Sequence, residues 1–331
     1  MERVITLAHG DGGELSYELV QEVFVKAFGN QKEAMFDSAL LQIGSGKIAV
    51  STDSFVVKPI FFPGGSIGKL AIAGTVNDLA VSGAKPLYLT CGFVLEEGFP
   101  IKDLKQIVTD MAAEANKAGI TIVAGDTKVV ERGSCDGVYI NTTGIGLVTE
   151  ELQPTFEAGD AVIVSGSIGD HGIAILAARG ELGISTPVNS DCASLNTMIA
   201  GVTSETNQVR IMRDPTRGGL ATTLVEIAED FSLTIVLDEE AILVKDEVHG
   251  ACDLLGFDPL YLANEGKVII IVPAQEKECV LEVLHSFTEG KDAVCVGHIA
   301  NTDKGQLLLQ TPLGVKRPLH RLSGVMLPRI C

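Results

Sequence analysis

The residues of this chain whose types and spacing could do chemistry are a set of aspartates, two glycine-rich segments, a lysine, a glutamate and a terminal thiol. Asp53 stands in Ser51-Thr52-Asp53-Ser54, Asp78 in Val76-Asn77-Asp78-Leu79 and Asp126 in Gly125-Asp126-Thr127-Lys128. Asp37 in Phe36-Asp37-Ser38 and Asp214 in Arg213-Asp214-Pro215-Thr216-Arg217-Gly218-Gly219 extend the set. Mg2+ takes hard oxygen ligands, typically a few carboxylates shared with phosphate oxygens and water. Singly, each aspartate is explained as a turn or cap residue. Together, each ends an apolar run or opens a turn beside Gly, Ser or Thr, and the set points to a metal–phosphate site. His9-Gly10-Asp11-Gly12-Gly13 and Ser165-Gly166-Ser167-Ile168-Gly169-Asp170-His171-Gly172 are loops whose backbone N–H groups could cradle phosphate. Neither is followed by Gly-Lys-Ser/Thr, so neither is a Walker A loop. His9 and His171 are equally explained as loop hydrogen-bonding residues. Lys128 and Glu265 could relay protons beside such a site, although residue type alone favours a strand-end charge and a turn acid.

Cys331 is different. It ends a segment, Gln310 to Cys331, broken by Pro312, Pro318, Pro328 and two glycines, with no periodicity to pack it. Prenylation needs a cysteine four from the end, where this chain has Pro328. Arg329 would favour the thiolate, the nucleophilic form. About 20 residues of tail reach ~65 Å when extended. An accidental terminal cysteine is the competing account.

The elements that must position these residues belong to a mixed α/β (α+β) chain. It has 331 residues and is 46% hydrophobic, enough for two domains with real cores. Net charge is −18 and no basic stripe with aromatics is present, which argues against nucleic acid as a partner. The N-terminus has no basic stretch followed by an apolar run, and no apolar run is long enough to span a bilayer, so the expected location is cytoplasmic. Seven cysteines with no CxxC pair suit a reducing compartment, most of them packing as small hydrophobes. Apolar periodicity predicts strands at Lys47–Ser54, Leu87–Leu95, Thr121–Val130 and Val138–Val148, with helices at Gly68–Val81 and Ile101–Ala118. After a Pro154 break come strands at Ala161–Ser165, Thr234–Leu237, Val268–Val272 and Val294–Ile299, interleaved with helices at Gly172–Arg179, Gly218–Asp230 and Glu276–Phe287. The expected division is residues 1–152, 153–310 and a flexible tail, 311–331.

His9-Gly-Asp-Gly-Gly, Ser51-Thr-Asp-Ser-Phe, Gly74-Thr-Val-Asn-Asp-Leu-Ala-Val-Ser-Gly-Ala-Lys-Pro, Gly125-Asp-Thr-Lys, Ser165-Gly-Ser-Ile-Gly-Asp-His-Gly, Arg213-Asp-Pro-Thr-Arg-Gly-Gly-Leu and, most specifically, Pro328-Arg-Ile-Cys331 resemble the motifs of the HypE family, the carbamoyl dehydratases of hydrogenase maturation. The resemblance runs through almost the whole chain. The Asn-Asp, Gly-Asp and Thr-Arg-Gly-Gly elements are shared more widely with PurM-like ATP-binding proteins, among them aminoimidazole ribonucleotide synthetase, thiamine-phosphate kinase and selenophosphate synthetase. The resemblance implies a PurM-like fold of two α/β domains and a homodimer formed through the N-terminal sheet. It implies ATP held by residues including His9, Gly12, Asn77, Gly125 and Thr127, and Mg2+ held among Asp37, Asp53, Asp78, Asp126 and Asp214. A HypF-like carbamoyltransferase would load Cys331. ATP would drive dehydration of the S-carbamoyl group to a thiocyanate, with Lys128 and Glu265 moving protons, which reverses the plain reading of those two residues. The cyanide would pass to iron on a HypC–HypD-like complex. Two rivals remain at this level: a small-molecule ATP-using enzyme of the same fold, which needs no Cys331, and a silent assembly scaffold, which needs no Asp53, Asp78 or Asp126.

Overall fold

The computed structural model describes residues 13–322, apart from 26–37, 45, 153, 181–182, 184–185 and 302–303. In the first half, β1 (Ala39–Ile43), β2 (Gly46–Phe55), β5 (Ala84–Glu96), β6 (Thr121–Val130) and β7 (Val138–Val148) form a sheet in the order β1-β2-β7-β5-β6. The short β3 (Phe61–Phe62) and β4 (Gly65–Ser66) pair separately. Alternation along β2 buries Ala49, Ser51 and Phe55 against the Ile67–Val81 helix. That helix starts where the Ser66 hydroxyl accepts the Lys69 N–H at 3.3 Å. It is apolar and buried almost all round, as expected of a helix covered on every side. Gly74 permits the contact with the sheet, since a Cβ there would stand 2.9 Å from Phe55 Cε1. The Ile101–Ala118 helix is amphipathic and ends at Gly119, whose left-handed φ of 69° closes it.

In the second half, β8 (Ala161–Val164), β9 (Ile211–Arg213), β10 (Thr234–Asp238), β11 (Ile269–Val272), β12 (Val294–Ile299), β13 (Gln306–Gln310) and β14 (Lys316–Leu319) run in the order β14-β13-β10-β12-β8-β11-β9. Ala-Val-Ile-Val of β8 and Ile-Ile-Ile-Val of β11 are buried throughout because both faces are covered. Val162, Val164, Ile269 and Ile271 pack towards the Gly219–Asp230 helix. Ile163, Ile270 and Val272 pack towards the Asn196–Glu205 and Lys277–His285 helices.

The halves are stitched at Asn77. Its Nδ2 donates to Ala193 O at 3.0 Å and its Oδ1 accepts the Leu195 N–H at 2.8 Å, all buried. Both ends of the carboxamide thus engage the 193–195 backbone, so Asn77, expected to hold ATP, braces the fold.

The expected tail from residue 311 needs correction. Gly314, at φ 78°, turns the chain, and Lys316–Leu319 adds an edge strand antiparallel to β13. Pro318 misled the sequence reading because it cannot donate to a ladder, but an edge strand tolerates it. Arg321 is nearly buried and Leu322 is buried. The Asn196–Glu205 and Asp246–Leu255 helices and β1, β9 and β13 were also not expected. Among the described residues, no helix is long and apolar enough to cross a membrane.

Asn77→Ala strands a buried N–H and a buried C=O, each worth about 1–3 kcal/mol. Its unfolding midpoint in urea should fall by the equivalent of about 2–3 kcal/mol. A midpoint equal to wild type would show that the stitch carries no stability.

Candidate functional site

Asp53, Ser54, Gly74, Asp78, Asp214, Thr216, Arg217 and Glu265 line one small cavity of about 30 Å3 between the halves. β2 supplies Asp53 and Ser54. The Ile67–Val81 helix supplies Gly74 and Asp78, which are four residues apart and share a face. The turn after β9 supplies Asp214, Thr216 and Arg217, and the turn before β11 supplies Glu265.

Each piece is held locally. Ser51 Oγ donates to Asp78 Oδ2 at 2.5 Å. Gly218 and Gly219 both have left-handed backbones, φ 79° and 64°, which lets the Thr-Arg-Gly-Gly turn open directly into the Gly219–Asp230 helix. A Cβ on Gly219 would lie 2.6 Å from Leu260 O and Leu262 O. Asn264 ties this turn to the next, with Nδ2 donating to Pro215 O at 3.1 Å and Oδ1 accepting the Gly169 N–H at 2.8 Å. The Glu265 N–H donates to Asp191 Oδ1 at 3.1 Å, and Asp191 Oδ2 faces Lys267 Nζ at 3.6 Å. Gly266 fits only because it lacks a side chain, since a Cβ would sit 1.9 Å from Asp191 O. Asn264, Asp191 and Lys267 were missed from sequence. Asn264 and Lys267 flank Glu265, but nothing in the chain order marks Asp191.

Electrostatically the cavity is overloaded with carboxyls. Glu265 is 4% exposed and its Oε1 has no hydrogen-bond partner. Burial, then Asp214, Asp191 and Asp53, push its pKa well above the ordinary glutamate value, against a smaller lowering by Arg217. Asp53 is raised by burial, with Arg217 and the Ser54 N–H working the other way. Among the described residues, no group of three or more His, Cys, Asp or Glu could hold a metal by itself. The oxygen-rich, over-negative lining and the orphaned Glu265 oxygen nonetheless fit a hard divalent cation that also shares phosphate oxygens.

Gly125, Asp126, Thr127 and Lys128 are elsewhere. They lie on β6, the edge of the first sheet, where nine of ten residues are exposed. Lys128 Nζ pairs with Asp126 Oδ2 at 2.9 Å, and that hydrogen bond, then the Thr127 N–H, lowers the Asp126 pKa. Gly125 is set by its neighbour, because a Cβ would lie 2.6 Å from Cys91 O. The register runs Ser54–Asn141–Gly92–Asp126 across four strands. Three strand spacings separate Asp126 from the cavity rim, ~14 Å. The aspartates expected to converge therefore fall into two groups within one chain.

The second glycine-rich segment is not an open cradle. The Ile168 N–H goes to Leu243 O and the Gly169 N–H to Asn264. His171 is buried, with Nδ1 2.8 Å from Ser190 Oγ and its ring edge-on to Phe62. His9, Gly12, Asp37 and Cys331 lie outside the described residues. Cys91, Cys192 and Cys252 are buried, whereas Cys135, Cys279 and Cys295 are half-exposed, so only three of these six pack as expected. Burial pushes the Cys91 and Cys252 thiols up to about 11. It also raises Cys192 well above its usual value, leaving these three poor nucleophiles.

Because the folded pKa of Glu265 is raised, the unfolded chain ionises first. Wild-type stability should fall as pH rises above the ordinary glutamate range, until the folded pKa is passed. Glu265→Gln removes that slope. In metal-free urea titrations the variant should gain on wild type at pH 8 and not at pH 5. Parallel pH profiles would show that Glu265 ionises normally.

Residues 36–148 match the family described as AIR synthase related protein, N-terminal domain, and residues 157–310 match its C-terminal domain. A carbamoyl dehydratase HypE of Azotobacter vinelandii is 44% identical over 99% of this chain and 97% of its own length. Among solved structures, one of a HypE–HypF complex has a chain 47% identical with a TM-score of 0.87, covering 92% of this chain and 99% of that one. A hydrogenase maturation protein HypE in complex with ATP is 43% identical with a TM-score of 0.82, covering 99% of this chain and 100% of the other.

Proposed function

We propose, from the premise that this chain belongs to the HypE family of carbamoyl dehydratases within the AIR synthase related fold, that it uses ATP to convert an S-carbamoyl group on Cys331 into a thiocyanate. The observation that carries the reading is the cavity where Asp53, Asp78, Asp214 and the buried Glu265 converge, in a chain that ends in Pro-Arg-Ile-Cys.

The chemistry divides cleanly. An amide oxygen is a poor leaving group. Transfer of the γ-phosphoryl group of ATP to the carbamoyl oxygen releases ADP, and breaking that carbon–oxygen bond then releases phosphate. The nitrogen gives up both protons as the nitrile forms, so the elements of water are lost, the oxygen leaving in the phosphate. Phosphoryl transfer needs positioning and charge neutralisation above all. A bound Mg2+, held by Asp53, Asp78 and Asp214, would supply that neutralisation. Glu265, raised by burial and then by its acidic neighbours, is the group in the cavity placed to exchange protons. Lys128 is the second proton-handling group in this reading.

Lys128 and Asp126 reach the reaction by dimerisation. One face of the first sheet is covered by helices; the other presents Leu41, Ile43, Tyr88, Ile145 and Leu147 to solvent, and Val123 at 55% and Val129 at 68% exposure stand along edge strand β6, Val129 across from Leu95. An open apolar sheet face beside an unpaired edge favours a second copy. The homodimer would bring the Gly125–Lys128 strand of one copy to the nucleotide of the other. Loading of Cys331 by a HypF-like carbamoyltransferase follows the relative solved with HypF. Delivery of the cyanide to iron on a HypC–HypD-like complex completes the reading.

Intact mass is the direct test. Incubation with the carbamoyltransferase and its substrates should add a carbamoyl group to the C-terminal peptide, and ATP should then remove the mass of one water. Cys331→Ala should bind ATP and carry no adduct. An adduct elsewhere would return the chain to the scaffold rival. Val123→Lys with Val129→Glu should convert a dimer to a monomer in sedimentation and reduce nitrile formation by 10-fold or more, on the order expected when a charge-stabilising group is withdrawn. A variant that sediments like wild type would remove the dimer from the mechanism.

A further inference from the structure

Cys331 is nine residues along the chain from Leu322, so wherever Leu322 is fixed sets what the thiol can reach, at most ~30 Å away. That fixed point is strongly built. The Arg321 side chain is 9% exposed; Nη1 stands 3.0 Å from Glu226 Oε1 and Nη2 2.7 Å from Glu229 Oε2. Its guanidinium lies 4.0 Å from the centre of the Tyr17 ring. The Leu322 N–H donates to Thr222 Oγ1 at 3.3 Å, and Leu322 O accepts the Glu14 N–H at 3.1 Å. Gly13 admits this crossing, since a Cβ would lie 2.1 Å from Leu322 O. The Tyr261 hydroxyl holds His320 O at 2.9 Å.

Glu226 makes the clamp more than an anchor. Its other oxygen, Oε2, lies 3.2 Å from Arg213 Nη2. Arg213 immediately precedes Asp214, Thr216 and Arg217, which line the cavity. One carboxylate therefore bridges the base of the tail to the loop that carries part of the site.

We propose that Arg321 and Glu226 are positioning residues for the dehydration, registering the pivot of the Cys331 tail to the Asp214 loop so that the tethered carbamoyl group meets the cavity at high local concentration. This rests on the reaction proposed above. The clamp touches neither ATP nor the reacting atoms. Its effect is geometric, and small misplacements of a tethered reactant are costly. The acceptance of a carbamoyl group occurs on another protein and does not depend on where the pivot points.

The experiment separates tethered from untethered reaction. Full-length chains carrying Arg321→Ala, Arg321→Lys or Glu226→Gln are carbamoylated by the transferase, and a single ATP-driven turnover is followed by intact mass. In parallel, the same substitutions in a Cys331→Ala background are given a free S-carbamoylated Pro-Arg-Ile-Cys peptide at saturating concentration with ATP. The tethered dehydration should slow on the order of 10-fold or more, while carbamoyl loading and turnover of the free peptide change by less than about 2-fold. Arg321→Lys, which keeps the charge but loses the forked contact to both glutamates, should lie between Ala and wild type. Equal losses in the tethered and free reactions would show that these residues only shape the cavity, and no loss in the tethered reaction would show that the pivot does not matter; either overturns the proposal. Failure of the wild-type chain to form nitrile from the loaded tail would instead overturn the reaction itself. Should Arg321→Ala unfold, Tyr17→Leu, which removes only the ring over the guanidinium, carries the same comparison.

Discussion

Four carboxyl groups facing one cavity, with Arg217 as the cation among its lining residues, cannot all carry charge at neutral pH without mutual repulsion. Much of the structure serves to hold that unfavourable arrangement together. Asn77 joins the halves across it, Asn264 joins two of its loops, and Gly74, Gly218, Gly219 and Gly266 remove the side chains that would push its walls apart. The repulsion is useful because of what relieves it. A proton on Glu265, a hard cation or the positive partner of a phosphate each lowers the energy of the site, and those are the participants that phosphoryl-driven dehydration requires. The fold stores the need for its ligands as excess negative charge.

The split between this cavity and the β6 group has a structural logic. Glu265 lies buried in its cavity. Asp126 and Lys128 stand in water on an unpaired edge, where a lone exposed ion pair contributes little. Covered by a second sheet, the same pair would lose that water and interact far more strongly. In the proposed reading the site is tied to assembly, because the Asp126–Lys128 half of its chemistry would come into play only where a second copy covers the open face.

What could be read from the sequence follows from how local each signal is. The Ile101–Ala118 helix and the β6, β7 and β12 strands fall where periodicity puts them, because amphipathic spacing and a glycine stop are properties of short windows. Asp53, Asp78, Asp214 and Glu265 were named from motifs, and they converge because each lies near the end of a strand or helix or in a turn beside one. Asp191, Lys267 and Asn264 were missed because a partner in space leaves no mark in sequence order. Asn77 was assigned to nucleotide from the family resemblance; neighbours on a helix point about 100° apart, and its side chain faces the other half of the molecule. The Lys316–Leu319 strand escaped notice because proline and glycine read as breakers unless the edge position that tolerates them is known.

The ordered base of the tail also restricts the proteins that meet this one. The nine residues after Leu322 extend at most ~30 Å from it. Any enzyme that loads Cys331, and any acceptor that strips it, must seat its own reactive centre within that radius. One thiol can occupy only one reactive centre at a time, so the loading of Cys331 and its unloading by any acceptor are mutually exclusive in time.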